Sequence, residues 1–464
     1  MLTDSKGMGG IVAQEGFDYQ VWYGLIRIPA WIRDDSFEGV TFEGFEDIEA
    51  RFLAAHTPSG HFLDRFQAKS GELNQRDVHN IFADFLNFEK YYPEVARTQR
   101  LVTLALPTLM KWLLRDPQRV DNARPFYEPF PHILPDSIAK VRNDCIKEFG
   151  KQLGDFVARS VAIEIFTVCS RDIAATHFQT KLIEIFPHLN PITVRQTFDA
   201  LYNLAAQNRG KMLSRALLIQ TIEQAQGETL RLPNALGLHL RSDRNAPKSN
   251  SVEIDARAFS GEDLTSRKTN EWQFQLLEPL LKVSRWTALQ GYRRVKITGQ
   301  FRLSTGFAAG WAFRANSGFE LEIPAKDDIW CTDSHSPVGS KMQYLDITEP
   351  RVLEDSRLVV SVGIIKEPTI DVQQFLGYPD NSGILVLHYT EPVTNATEAQ
   401  LLVRQLKESI SKTAASLGAK TIDLFYVGPV ALAVAIGHRW NGMPPTQFYE
   451  YDSKSRRYVP SVHC

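Results

Sequence analysis

Three residues near the start of the chain have the types and spacing for phosphodiester chemistry: Asp47, Gln67 and Lys69. Asp47 lies in the strand-like run from Phe42 to Phe52, and Gln67 and Lys69 lie in the run from Asp64 to Lys69. Thr57-Pro58-Ser59-Gly60 between them signals a turn. Residues two apart on a strand share a face, so one hairpin can bring a carboxylate, an amide oxygen and an ammonium to one spot. Asp47 and the neighbouring oxygens suit Mg²⁺ (or Mn²⁺), a hard cation that takes oxygen ligands. Such a metal activates water and offsets phosphate charge, and Lys69 adds charge stabilisation in the transition state. The same three residues would also suit the solvated face of a surface hairpin.

The elements that must position them follow in order. Met1 to Gly10 is small and polar and reads as a disordered lead. Phe17, Val21, Leu25, Ile28 and Ile32 fall on one face of a helix that Pro29 should kink or end. Asp77 to Tyr92 is a second helix whose aromatics suit a core. Arg100 to Leu106 reads as a strand and Thr108 to Leu114 as helical. Asp121 to Pro135 holds four prolines and reads as a loop. Ser137 to Phe149 is an amphipathic helix, Val161 to Val168 a buried strand, and Asp172 to Ala225 a helical block broken at Pro187 and Pro191.

At 464 residues the chain exceeds one ordinary domain. Its 43% hydrophobic and 23% charged content are those of a globular protein. Net charge is −2, and residues 1–100 hold 10 Lys/Arg against 16 Asp/Glu, so no global basic field advertises nucleic acid. DNA phosphates would need a local patch such as Arg209, Lys211 and Arg215, which also suits a solvated helix face. The four cysteines are far apart and form no zinc pattern. No signal peptide or apolar run of membrane length is present, so the expected setting is a reducing bacterial cytoplasm, with no membrane partner. The polar run Arg241 to Ser251 reads as a linker. A boundary near residue 235 gives two domains, 1–235 and 236–464.

The second half alternates strands and helices, which argues a parallel α/β sheet. Helix is expected at Trp272 to Leu289 and Ala396 to Leu417. Strands are expected at Val295 to Leu303, Gly318 to Ile323, Leu358 to Ile364, Ile384 to His388, Thr421 to Val427 and Gln447 to Tyr451. The stretches from Phe301 and from Phe425 share a form: strand, tight turn, helix of small residues. This suggests two related lobes. Each turn sets bare N–H groups at a helix N-terminus, which attracts anions. Ser304, Thr305 and Gly306 mark one turn, and Gly428 and Pro429 the other. Trp330, Tyr378 and Trp440 are candidate base-stacking aromatics, or ordinary core and rim. The small-residue helices serve either ligand approach or close packing. Neither lobe has a Walker A lysine or a GxGxxG fingerprint.

The run Gly9 to Gln20, Glu43 to Asp47 and Gln67-Ala68-Lys69 together resemble the restriction-type PD-(D/E)xK nuclease domain of CBASS antiphage effectors. The resemblance implies a restriction-endonuclease-like α/β/α fold with Asp47 and Gln67 as metal ligands and Lys69 as the catalytic lysine. It also implies a Glu or Gln from the first helix. Glu15 and Gln20 both qualify, and Gln20 is carried as the catalytic candidate. Residues Gln300 to Gly306 with Gly310, Trp330 to Thr332, Phe425 to Gly437 and Tyr449 to Tyr451 resemble the SAVED domain, a fusion of two CARF-like, Rossmann-like lobes. That resemblance implies a site for a cyclic oligonucleotide made by a CD-NTase, a trinucleotide by family analogy, with Arg302 and Thr332 joining the turn and aromatic candidates. The order nuclease then SAVED implies a DNA endonuclease of little sequence preference, acting on double-stranded DNA and self-associating on ligand binding. The alternatives are a nuclease that needs no signal and a binding protein with a dead nuclease.

Overall fold

The computed structural model describes residues 5–127, 133–242, 250–261, 264–265, 267–325, 328–333, 345–350 and 355–464. The chain divides into two compact units, Met1–Leu232 and Pro233–Cys464.

The first unit runs α1 (Ser5–Arg33), β1 (Phe37–Phe42), β2 (Ile48–Leu53), β3 (His61–Lys69), α2 (Gln75–Tyr91) and β4 (Ala96–Thr103). It continues through α3 (Trp112–Tyr127), α4 (Ile133–Phe149), α5 (Lys151–Ser160), β5 (Val161–Ile165), α6 (Arg171–Ile185), α7 (Val194–Gln207), β6 (Met212–Ser214) and α8 (Arg215–Gln226). The six strands form one sheet in the order β5-β4-β3-β2-β1-β6. β1, β2 and β3 are an antiparallel meander, and β4 returns parallel to β3 after the crossover helix α2. Alternation along the strands sends side chains to opposite faces. Phe66, Ala68 and Val102 join the core beneath α1, α6, α7 and α8, while Leu101 joins the core of α2 to α5. The result is the restriction-endonuclease-like α/β/α sandwich.

Four local expectations change. The helix starts at Ser5, within the stretch read as a disordered lead, and runs through Pro29. Residues 112–127 are helical where prolines suggested a loop from 121, and residues 128–132 lie outside the described residues. β5 is an edge strand and only half buried, because Arg27 and Arg100 must reach Glu164 on it. β3 reaches Lys69, but β2 begins at Ile48. Asp47 therefore sits in the turn before the strand rather than on it.

The second unit opens with β7 (Ala235–Arg241), β8 (Val252–Asp255), α9 (Thr269–Trp272), α10 (Glu278–Leu289), β9 (Arg294–Thr298), α11 (Leu303–Ala312), β10 (Glu320–Ala325) and β11 (Asp328–Cys331). It closes with β12 (Leu345–Thr348), β13 (Arg357–Ile364), α12 (Thr369–Leu376), β14 (Ile384–Tyr389), α13 (Ala396–Leu417), β15 (Thr421–Val427), α14 (Val430–Arg439), β16 (Thr446–Asp452) and β17 (Arg457–His463). One sheet is ordered β8-β7-β9-β10-β11 and the other β12-β14-β13-β15-β16-β17. Apart from the extra edge strand β12, the two match strand for strand. In each, four strands are parallel and the last edge is antiparallel. The loose sequence repeat is thus a real duplication of Rossmann-like lobes. The stretch read as a linker joins β7 to β8 within one sheet, and its residues 243–249 lie outside the described residues.

The small-residue helices α11 and α14 pack on each other, backbone against backbone. A Cβ on Gly310 would collide with Val434 O and come within 2.7 Å of His438 N, and a Cβ on Gly437 would collide with Phe307 O. Beside this crossing His438 is 1% exposed and its Nδ1 donates to Phe313 O at 2.6 Å. Burial pulls its pKa from 6.5 down to about 4. The folded state therefore favours the neutral ring. Its stabilisation is present above pH 6.5 and is lost as pH falls toward 4, up to about 3 kcal/mol. Chemical denaturation of the second unit at pH 7 and pH 4 should show this fall, and His438→Gln should flatten it.

Candidate functional site

The site is built on β3. Register pairs Ile48 with Phe66, so β2 ends one residue short of Asp47 and the N–H of Ala68 is left without a ladder partner on that side. The Asp47 carboxylate takes that place: Ala68 N donates to Asp47 Oδ2 at 2.7 Å. Gln67 Nε2 donates to the same oxygen at 2.7 Å, and Lys69 Nζ lies 3.5 Å from it. Three donors converge on Oδ2, while Oδ1 takes no described hydrogen bond. The expected grouping of Asp47, Gln67 and Lys69 is therefore present as geometry.

Sequence reasoning missed the third member of the same stripe. Arg65, Gln67 and Lys69 are spaced by two along β3 and all serve the 43–49 segment. Arg65, 2% exposed, lies 2.6 Å from Glu46 and 3.7 Å from Glu49, donates to Gln99 and stacks over Phe88 of α2. The turn is tight: Glu43 N donates to Asp47 O, and Glu43 has φ +54°, a conformation that costs energy outside glycine. Arg65 holds the turn down from below.

Burial sets the electrostatics. It pushes the Glu46 carboxyl up to about 7, with Arg65 pulling back. It also raises Asp47, against Lys69 and the Ala68 N–H. A carboxylate held up by desolvation is one that a cation stabilises. Among the described residues no group of three or more His, Cys, Asp or Glu side chains is set to hold a metal. One carboxylate with amide and backbone oxygens does not need such a group, and those donors fit a hard cation.

Gln20 does not join the cluster. It is 9% exposed with an unpartnered Oε1, and it sits on α1, which covers the face carrying Phe66 and Ala68. Gln67 and Lys69 point to the other face. Glu15 is exposed. The basic patch also divides. Arg215 is buried and donates to Ile32 O, so it faces no DNA. Arg209 stacks on Phe17 and lies 3.6 Å from Glu43, and Gly210 N donates to Phe42 O, which brings the exposed Lys211 beside the acidic turn.

In the second unit the α11 N-terminus already has an anion. Glu450 Oε2 accepts from Ser304 N at 2.8 Å, and Arg302 lies 3.6 Å from the same carboxylate. Ser304 Oγ pairs with Ser461 Oγ at 2.8 Å. Ser304, Thr305 and Gly306 are buried, as are Trp330, Thr332 and Trp440. Thr332 Oγ1 accepts from Leu321 N, and Trp440 Nε1 donates to Thr446 Oγ1. Packing explains these positions: the small residues serve the α11–α14 crossing, and the two tryptophans serve the core. Tyr378 and Gly428 are half buried and Pro429 is exposed.

A cavity of about 960 Å³ lies among α13, α14 and the 315–316 turn. Arg404, Lys407, Lys412 and Arg439 line it against one acid, Glu408. Gln400, Arg404, Lys407 and Ser411 form a polar stripe at helical spacing on α13, a pattern that in the sequence looks like an ordinary solvated helix face.

Comparison with known proteins adds to this geometry. Residues 280–463 match the family described as "SAVED: SMODS-associated and fused to various effectors sensor domain". CD-NTase-associated protein 4 from Acinetobacter sp. and from Moraxella osloensis are each 22% identical over 470 residues, covering 99% of this chain and 98% of theirs. The solved Acinetobacter baumannii Cap4 SAVED/CARF-domain containing receptor with the cyclic trinucleotide 3'3'3'-cAAA superposes with TM-score 0.81 at 19% identity, covering 97% of this chain and 98% of that one. The same receptor with 2'3'3'-cAAA gives 0.80 at 19% identity and the same coverage, and the Moraxella osloensis Cap4 receptor gives 0.75 at 20% identity, covering 97% and 99%. The chain carries a SAVED domain and is homologous to CD-NTase-associated protein 4 along its length.

Proposed function

We propose, from a SAVED domain joined to the Asp47–Gln67–Lys69 cluster, that this protein is a CBASS antiphage effector. In this reading it is a Mg²⁺-dependent (or Mn²⁺-dependent) endonuclease. It cuts double-stranded DNA with little sequence preference once a cyclic oligonucleotide fills the second unit. The observation that carries it is the convergence of Gln67, Ala68 N–H and Lys69 on one Asp47 oxygen. Asp47 and the Gln67 amide oxygen would hold the metal, which supplies Lewis-acid charge and a more acidic water. Lys69 is partly exposed at the sheet rim and sets its ammonium where negative charge builds on the phosphate. Buried Arg65 fixes the turn so that Asp47 does not have to be ordered during the reaction.

The Acinetobacter baumannii relative is described with cyclic trinucleotides, which supports a cyclic trinucleotide as the messenger here. Tyr378, Gly428, Pro429 and Arg302 keep some surface and remain candidates to meet it. Binding shifts the population toward an active, self-associated state, as far as the ligand's differential affinity allows. The setting is the bacterial cytoplasm. No helix among the described residues is long and apolar enough to cross a membrane.

Phe45 is 85% exposed, two residues before Asp47. In this reading it packs against a DNA base or sugar beside the scissile phosphate. Phe45→Ala should weaken DNA binding about fivefold, within the worth of one stacked base, with unchanged melting temperature. Electrophoretic mobility shift in Ca²⁺ would measure it.

The reading as a whole is tested by melting the full chain against a panel of cyclic di- and trinucleotides, then incubating it with plasmid, Mg²⁺ and each hit. A stabilising ligand that switches on cleavage is the expected result. Cleavage that ignores every ligand would favour the signal-independent nuclease.

A further inference from the structure

Four acids lie between residues 43 and 49, and three of them are engaged. Glu46 lies 2.6 Å from Arg65. Glu49 faces Arg65 at 3.7 Å and accepts from the N–H groups of Phe45 and Glu46. Gly44 leaves it room, since a Cβ there would stand 2.7 Å from Glu49 Oε2. Asp47 Oδ2 takes Gln67 and the Ala68 N–H. The fourth acid is Glu43. Among the described residues its carboxylate meets only Arg209, at a loose 3.6 Å, and the two side chains are 40% and 42% exposed. Arg209 is held elsewhere, 3.5 Å over the Phe17 ring and 3.5 Å from Gln14 Oε1.

The register carries Glu43 to the cluster. Phe42 pairs with Ile48, Ile48 pairs with Phe66, and Glu43 N donates to Asp47 O at 2.9 Å. One rung further on, Glu43 stands opposite Asp47 and Asp47 opposite Gln67, a row across three chains. The Glu43 charge adds to burial in raising the Asp47 carboxyl, against the pull of Lys69. A divalent cation at Asp47 and Gln67 would meet one negative charge, because the amide is neutral. Hard ions of this kind are held by one or two carboxylates, and Glu43 is the acid left to supply the second. Position 43 also bears this acid at φ +54°, where the backbone favours glycine.

We propose that Glu43 is a second carboxylate ligand of the divalent cation held at Asp47 and Gln67, with Arg209 as the protein cation that competes for it. The inference rests on the reading of that cluster as a metal site and adds a residue to it. Arg209 keeps the spare carboxylate from standing unpaired beside Asp47 before a metal arrives.

The test is titration of the full chain with Mn²⁺, without DNA or cyclic nucleotide, followed by the electron paramagnetic resonance of the free ion. Glu43→Gln should weaken Mn²⁺ binding about tenfold or more, the scale on which partners of a metal site act. Glu43→Gly should weaken it as much while melting at the same or a higher temperature, because glycine relieves the positive φ. Arg209→Gln should tighten binding about twofold or more. If Glu43 only braced the turn through Arg209, Arg209→Gln would weaken binding instead, and that result overturns the inference. Binding lost in Asp47→Asn but held within twofold by both Glu43 variants refutes the role of Glu43 and leaves the metal site standing. Mn²⁺ that does not bind the wild type, or that ignores Asp47→Asn, takes both down.

Discussion

If the proposed nuclease reading holds, Lys69→Ala should lower ligand-activated DNA cleavage by about 10²–10³-fold, the usual cost of deleting one positioned charge that acts on the transition state. The expectation follows from the site's charge balance. Among the described residues Asp47 is the carboxylate that Gln67 and Lys69 meet, Gln67 adds no charge, and Lys69 is the cation paired with it. Its side chain is 38% exposed and its bond to Asp47 is long, so removing it leaves the fold in place. DNA affinity and melting temperature should move little. A gel time course in Mg²⁺ reads the rate. Lys69→Arg separates charge from position: it keeps the charge in a wider, planar head and should restore only part of the activity.

Gly310→Leu removes the folded second unit at 37 °C. Any Cβ at Gly310 meets the backbone carbonyl of Val434, and the backbone of α14 has nowhere to retreat while Gly437 presses on Phe307 O. Overpacking of this kind costs about 1–3 kcal/mol where side chains can shift, and more where backbone must. The α11–α14 crossing joins the two lobes, so the damage is global to the unit. Far-UV circular dichroism melts should show its transition lowered by more than 10 °C or lost. Gly318→Ala, at the end of a turn in open space with φ +77°, should be far milder.

What the sequence revealed tracks the range of the forces involved. The cluster was legible because period two on β3 is local: Gln67 and Lys69 must share a face wherever the strand goes. The repeated strand, turn and small-residue helix was legible for the same reason. It could not say whether the small residues admit a ligand or a second helix, because the partner of Gly310 lies more than a hundred residues away. Arg65 was overlooked although it continues the stripe, since an arginine two residues before Gln67 looks like surface until Phe88 and Gln99 close over it. The prolines after Pro117 pointed to a loop, but helix continues to Tyr127. Aromatics such as Trp330 and Trp440 carried no signal of depth, and only tertiary packing placed them in the core.

The most direct measurement is plasmid cleavage by the full chain in Mg²⁺, with and without saturating 3'3'3'-cAAA or the best-binding cyclic nucleotide, run beside Asp47→Asn. The account predicts loss of supercoiled DNA only when ligand and Asp47 are both present. Equal cutting without ligand, or by the Asp47→Asn variant, would contradict it.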